Sequence, residues 1–266
     1  MTVLRASFAN GFAPRDGIPA YPSLWRGCIG AWNPGLGPTG LGLRDWSGYG
    51  NHGTITSTTA DSAWSMLQGQ HVLTFDGTGD YVATGFNPSR LLGAPAALAC
   101  SASAWVQQSV TSTRQAIYAV SGVPRWYFWI EATTRSIFVG IGSQGLNTAS
   151  VAPASGLNHI GFTKIGGTIR VYINGRLDST NTYTGDNAVP NLSTPLGAQD
   201  TGTSAVINGQ FADIMIWNRT LSDNEMRLLA SRRGIAYDLA PFRMPYSEQV
   251  ATAARLRRLL LLGVGS

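Results

Sequence analysis

Lysine is almost missing from this chain: Lys164 is the only one in 266 residues. Glutamate occurs three times (Glu131, Glu225, Glu248), histidine three times (His52, His71, His159) and cysteine twice (Cys28, Cys100). Each scarcity excludes something. So few cysteines and histidines leave a structural zinc site out of reach, since zinc takes four N or S ligands. No serine or cysteine can be paired with the histidines from sequence, so a hydrolase triad has no support. Retaining glycoside hydrolysis needs two carboxylates about 5 Å apart. Glu131 has no acidic partner at i+2 or i+4, Glu225 belongs to a helix start and Glu248 to the tail, so no catalytic residue is expected. No apolar run nears the length of a membrane span; Leu259–Leu262 is far too short. Arg5, Asn10, Arg15 and Asp16 interrupt any apolar leader core. The expectation is a soluble chain without a secretory signal.

What is present is glycine, 32 residues of it, and aromatic side chains at 10%, with only 12% charged residues. That balance fits a turn-rich sandwich and neither a helical bundle nor a disordered chain. A chain of this length buries most of its apolar surface without a staple. The cysteines stand in strand-like surroundings. Two free buried thiols are the expectation and one disulfide the alternative. The net charge of +5 is carried by arginine, and seven arginines lie beyond Glu225. The positive charge therefore belongs to a tail, read as a basic helix facing solvent or a subunit; a nucleic-acid partner is not expected.

Residues 1–23 carry Pro14, Pro19 and Pro22 and read as an extended arm. From residue 24 to 234 short strands alternate with turns: 27–32, 70–76, 79–84, 97–107, 114–121, 125–132, 135–141, 157–165, 168–174, 193–198 and 206–218. Ile169, Val171 and Ile173 alternate with Arg170, Tyr172 and Asn174, which puts one face inward. Gly166-Gly167 and Asn174-Gly175 have the chemistry of hairpin turns. Many strands without intervening helices predict an antiparallel two-sheet sandwich. Ser222-Asp223-Asn224-Glu225 is a capping box that opens a helix ended by Gly234. Residues 235–266 read as a linker and an amphipathic helix from Ser247 to about Leu262. Leu256, Leu259 and Leu260 form one stripe of it and Arg255 and Arg258 another. That helix needs something to pack on and is expected to serve assembly.

Four stretches belong together in order. They are Arg44-Asp45-Trp46-Ser47-Gly48-Tyr49-Gly50-Asn51-His52-Gly53-Thr54, Phe75-Asp76-Gly77-Thr78-Gly79-Asp80-Tyr81-Val82, Val171-Tyr172-Ile173-Asn174-Gly175-Arg176 and Gly209-Gln210-Phe211-Ala212-Asp213-Ile214. Together they resemble the laminin-G-like jelly-roll family within the concanavalin-A-like lectins and glucanases, over roughly residues 24–232. The resemblance implies an all-β, two-sheet antiparallel jelly roll, flanked here by the arm and the C-terminal helices. The enzymatic branch of that fold carries a Glu-x-Asp-x-Glu strand, which is absent. The resemblance also implies that His159, in Leu157-Asn158-His159-Ile160, is structural and that Trp32, Trp46, Trp105 and Trp217 are packing residues.

The loop from Asp45 gathers a carboxylate, an amide oxygen and backbone carbonyls, which suit calcium. In proteins this chain resembles, a structural calcium often bridges this loop and the later aspartate. The carry-over is Asp45, Asn51 and Asp213, with Asp76 and Asp80 as weaker candidates. The alternative is that these groups satisfy backbone amides.

Trp126, Tyr127, Phe128 and Trp129 are successive aromatics on one strand, so two point to each side. Trp126, Tyr127 and Trp129 are the candidate ligand face, since exposed rings stack on sugars; a strand buried on both faces is the alternative.

The functional expectation is a non-enzymatic structural or adhesive protein. It resembles laminin-G-like decoration, fibre or tail-associated subunits of tailed bacteriophage virions, with a homo-oligomer, other virion proteins and a host-surface glycan as partners. The alternative is a free-standing carbohydrate-binding module at a bacterial surface; a polysaccharide hydrolase or lyase is the remaining reading.

Overall fold

The computed structural model describes residues 19–56, 63–92, 98–109, 112–122, 124–151, 156–183, 186–200 and 204–240. The arm before Pro19 and the helix carrying Arg255, Leu256, Arg258, Leu259 and Leu260 lie outside the described residues.

The first described element is a short helix α1 (Pro22–Trp25), with proline at its start where a missing N–H costs nothing. Strands β1 (Cys28–Trp32), β2 (Gly42–Leu43), β3 (Gly53–Thr56), β4 (Trp64–Leu67), β5 (Gln70–Asp76) and β6 (Tyr81–Thr84) follow, then helix α2 (Pro88–Leu92). The long middle is strand after strand: β7 (Ala99–Gln108), β8 (Gln115–Val120), β9 (Arg125–Ile130), β10 (Ser136–Gly142), β11 (Gln144–Val151), β12 (Asn158–Ile165), β13 (Thr168–Ile173) and β14 (Arg176–Thr182). β15 (Asn208–Trp217) and helix α3 (Asp223–Leu229) follow.

The strands make two antiparallel layers, as expected. The back sheet runs β14-β13-β12-β7-β15-β5-β4, with β1 also on β15. The front layer consists of β11-β10-β9-β8 and β2-β3-β6. Residues 196–200 stitch these two pieces together. Leu196 exchanges backbone hydrogen bonds with Val82 on β6, Gly197 N–H donates to Ile117 O, and Asp200 N–H donates to Ala119 O on β8. The stretch 193–198, read from sequence as a strand, is thus a chain of isolated bridges. Pro195 has no N–H to give to a ladder.

β15 explains much of the architecture. It pairs with β7 along one side. On its other side it pairs with β5 up to Phe211 and with β1 from Ile214 onward. Asp213 sits at this handover in a bulge with φ +51°, and a bulge re-aims a side chain.

The main core lies between the sheets and includes Trp32, Phe75, Phe86, Tyr118, Trp126, Phe128, Phe162 and Phe211. Burying each such ring is worth about 2–3 kcal/mol. A second core lies on the outer side of the back sheet. Cys28, Ala31, Tyr172, Met215 and Trp217 meet Leu24 and Trp25 of α1, Met226 and Leu229 of α3, and Ala236 and Tyr237. α1, α3 and the turn Ile235–Tyr237 form a cap over this face. Pro19 bridges Leu239, so residues on either side of the sandwich meet on the cap.

The local signals hold up in detail. Asn174 and Gly175 have φ of +49° and +75°, the backbone that a two-residue hairpin of this hand requires. The capping box on α3 is complete, with Ser222 Oγ accepting from Glu225 N–H and the glutamate reaching back. α3 ends at Leu229, earlier than expected; Gly234 (φ +72°) instead leads into the turn Ile235–Tyr237. The edge strand β14, mostly exposed and polar, was invisible to a hydrophobic-period reading. Both cysteines are free and buried. Burial pushes the Cys28 thiol far up and Cys100 up to about 12. Among the described residues no helix is long and apolar enough to cross a membrane.

Candidate functional site

Asp45 is 3% exposed and its carboxylate is fully engaged. Oδ1 accepts from Ala31 N–H (3.0 Å) and Ser47 N–H (2.9 Å). Oδ2 accepts from Ser47 Oγ–H (2.8 Å) and Asn51 N–H (2.9 Å). A carboxylate offers about four lone-pair positions, and all four are used. Asn51 spends its amide on Ile29 O, and its backbone carbonyl accepts from Trp32 Nε1–H. Asp213 Oδ2 accepts from Gly234 N–H. These residues do not fit a calcium ion. Asp45 has no lone pair left, and the loop closes on its own amides, the alternative held open above. His52 Nδ1 accepts from Asp45 N–H at 3.1 Å, so it too belongs to the loop. Among the described residues no group of three or more histidine, cysteine or acidic side chains could hold a metal.

The aromatic strand divides as alternation requires. Trp126 points inward, correcting its place in the expected ligand face. It is completely buried and stacks on Tyr118 at 5.2 Å and Phe86 at 6.4 Å. Tyr127 and Trp129 point to the outer side of the front sheet. There they meet Phe138, which lies opposite Trp129 on β10. Tyr127 and Trp129 are near-parallel at 4.5 Å, Trp129 and Phe138 at 5.0 Å. Ala116, Ala119 and Ala205 complete this apolar slab. The bulge in β8 between Ala116 and Tyr118 lets Ala116 and Ala119 both face it.

Two glycines keep the slab low. A Cβ at Gly145 would fall 2.4 Å from Phe138 Cζ. One at Gly140 would fall 2.9 Å from Phe138 Cε1 and 3.0 Å from Tyr127 Cδ2. The rings can lie over these positions only because no side chain is there.

Polar groups frame the rings. Trp129 Nε1–H donates to Glu131 Oε1 at 2.8 Å. Arg114 sits 4.7 Å over the Trp129 ring and 3.8 Å from Glu131. Trp129 itself is only 4% exposed, so the available rings are Tyr127 and Phe138, both half-buried. Next to Tyr127 in register is Ala119, which bridges to Gln199. The following residue, Asp200, lines a cleft of about 310 Å³ with Tyr81, Ala83, Leu192 and Ser193. Slab and cleft thus share the front layer. Sequence reading missed Phe138, Arg114 and the two glycines. Phe138 stands between inward Ile137 and Val139, so its outward direction was legible, but its register against Trp129 was not.

Residues 76–227, more than half of the chain, match a laminin-G family model described as the concanavalin A-like lectin/glucanases superfamily. The chain belongs to this superfamily. No curated protein matches it. Among solved structures, domain 4 of AbnA, a GH43 extracellular arabinanase from Geobacillus stearothermophilus in complex with arabinotriose, is similar at 17% identity and TM-score 0.57. The match covers 77% of this chain and 98% of that one. The binding domain of botulinum neurotoxin serotype D/C is similar at 17% identity and TM-score 0.59, covering 78% of this chain and 52% of that one. Trypanosoma rangeli sialidase in complex with sialic acid is similar at 14% identity and TM-score 0.58, covering 80% of this chain and 34% of that one. At these identities the likeness is one of fold. The chain spans about a third of the sialidase but nearly all of the arabinanase domain. It is a lectin/glucanase-like sandwich of the superfamily, and its structural neighbours include a domain in complex with arabinotriose.

Proposed function

We propose that the outer face of the front sheet binds glycans without cleaving them, and that the chain is a structural or adhesive subunit. The observation that carries this reading is the slab of Tyr127, Trp129 and Phe138, on the same front layer as the cleft at Tyr81 and Asp200. Ring faces stack on the C–H faces of sugars, while neighbouring Arg114, Glu131 and Asp200 offer hydrogen bonds to hydroxyls. Among the described residues the cap covers the opposite side of the sandwich. The similar arabinanase domain, in complex with arabinotriose, supports a saccharide as ligand. Glu131 is occupied by an indole N–H and an arginine, which suits a binding residue and not a catalytic pair.

The test is a glycan array on the full chain, followed by titration of any hit into Tyr127→Ala, Phe138→Ala and Arg114→Ala. Each ring removal is expected to weaken binding about tenfold. Failure of the chain to bind any glycan, or unchanged affinity in all three variants, sinks the reading.

The proposed setting is a tailed-phage virion, as a decoration, fibre or tail-associated subunit. It rests on the arginine-for-lysine bias and on the Leu/Arg pattern from Arg255 to Leu262. A module of a bacterial surface protein is the second setting, favoured by the similar domain being part of an extracellular enzyme. Light scattering on the full chain and on a version cut after Pro245 separates them. An oligomer that falls apart on truncation supports the virion subunit; a monomer in both supports the module.

A further inference from the structure

The cap and the back sheet meet over a small void of about 10 Å³. Ser103, Trp105, His159, Asp213, Arg232 and Tyr237 are among the residues around it. Two of these are buried with hydrogen-bonding atoms unused. His159 is 1% exposed, and neither ring nitrogen has a hydrogen-bond partner among the described residues. Asp213 is 7% exposed; Oδ2 accepts from Gly234 N–H, but Oδ1 has no such partner. His159 is fixed by β12, opposite Trp105 in register and edge-on to its ring at 5.6 Å. Asp213 is fixed by the bulge of β15.

Leaving such groups dry costs about 1–3 kcal/mol apiece. Buried polar atoms of native proteins are satisfied by protein or by ordered water. The room is that of one water molecule, and a water needs two to four polar partners. The arginines of the cap, Arg232 and Arg233, act electrostatically on Asp213, and their charge disfavours a cation.

We propose that this void is a binding site for a single ordered water that donates to Asp213 Oδ1 and hydrogen-bonds a ring nitrogen of His159, tying β15 to β12 beneath the cap. The water is a structural ligand of the junction. It stands apart from the glycan face and is independent of it. Through Asp213 it links the handover point of β15 to Gly234, and through His159 it links β12 to the same point.

The first test is a high-resolution crystal structure of the full chain. Density for one water within hydrogen-bonding distance of Asp213 Oδ1 and a His159 nitrogen is expected. An empty void, or a direct bond between the two side chains, overturns the proposal. The second test is thermal unfolding of His159→Phe, which keeps a ring and removes the nitrogens. With a bridging water the variant loses a partner and its Tm falls. With a dry void it sheds two unsatisfied atoms and its Tm rises, which also overturns the proposal. Water-oxygen relaxation dispersion on the parent chain adds a solution measurement that needs no variant: a long-lived internal water is expected, and its absence counts against the site.

Discussion

Arg219 grips Glu225 with two hydrogen bonds, of 3.0 and 2.6 Å, and uses the same guanidinium to donate to the carbonyls of Ser23 and Arg26. One side chain therefore holds α1, the exit of β15 and the start of α3 together. Only a planar fork reaches all four acceptors, so lysine is not a conservative replacement. Arg219→Lys is expected to lower stability by about 2 kcal/mol, read by denaturant unfolding. Burial alone pushes the Glu225 carboxyl up, but its bonds from Arg219 and Ser222 outweigh this and hold it below its ordinary value. Its contribution is present above the unfolded carboxylate range and lost as pH falls through the depressed value. The variant's deficit should therefore shrink in acid.

Asp45 organises its loop through four hydrogen bonds. Asp45→Ala strands three buried backbone N–H groups and is expected to cost about 3–5 kcal/mol. Because the carboxylate has no free lone pair, a calcium chelator should leave the Tm of the parent unchanged. Thermal unfolding with and without chelator checks both statements.

Gly145→Ala puts a Cβ 2.4 Å from the tip of the Phe138 ring. The ring must move and the slab must break. Overpacking of this kind costs about 1–3 kcal/mol, so the fold should survive while glycan affinity drops. Circular dichroism and titration on the same sample separate the two effects.

Burial pushes Asp213 up from 3.8 to about 6, partly opposed by Gly234 N–H and the arginines. A raised carboxyl contributes stability that is full below its unfolded value and is lost as pH rises through 6. Burial pushes His159 down from 6.5 to about 3. Its contribution is present above 6.5 and lost as pH falls toward 3. Between about pH 4 and 6 the two oppose each other. Asp213→Asn removes the first, so the variant should lose stability on acidification more steeply than the parent. Tm measured across pH 4 to 8 reads this directly.

The strands of the main core were legible because their apolar residues alternate. Ile169 and Val171 announce β13 before any coordinates. The capping box at Ser222 and the turn at Asn174-Gly175 are equally local, since each is settled by neighbours within four residues. The site was only half legible. Tyr127 and Trp129 were found by alternation, but Trp126, on the same strand, was assigned outward when it belongs to the core. Alternation pairs Trp126 with Phe128 and Tyr127 with Trp129, so placing Trp126 on the face of the other two broke the strand period; which pair faces inward depends on the layer that the strand joins.

The amino-acid sequence by itself determined the class of fold, the superfamily, the hairpin turns, the cap of α3 and the lack of a carboxylate pair on the strand of Glu131. The superfamily follows from the resemblance carried by four ordered motifs, and the rest from composition, periodicity and short-range hydrogen bonding. Tertiary structure alone decided that Phe138 lies beside Trp129, that Gly140 and Gly145 leave room for the rings, and that Asp45 spends its carboxylate on amides. It alone brought His159 and Asp213 to one void beneath the cap. Those relationships depend on strand register and on which sheet edge meets which, and register is set by packing over the whole sandwich.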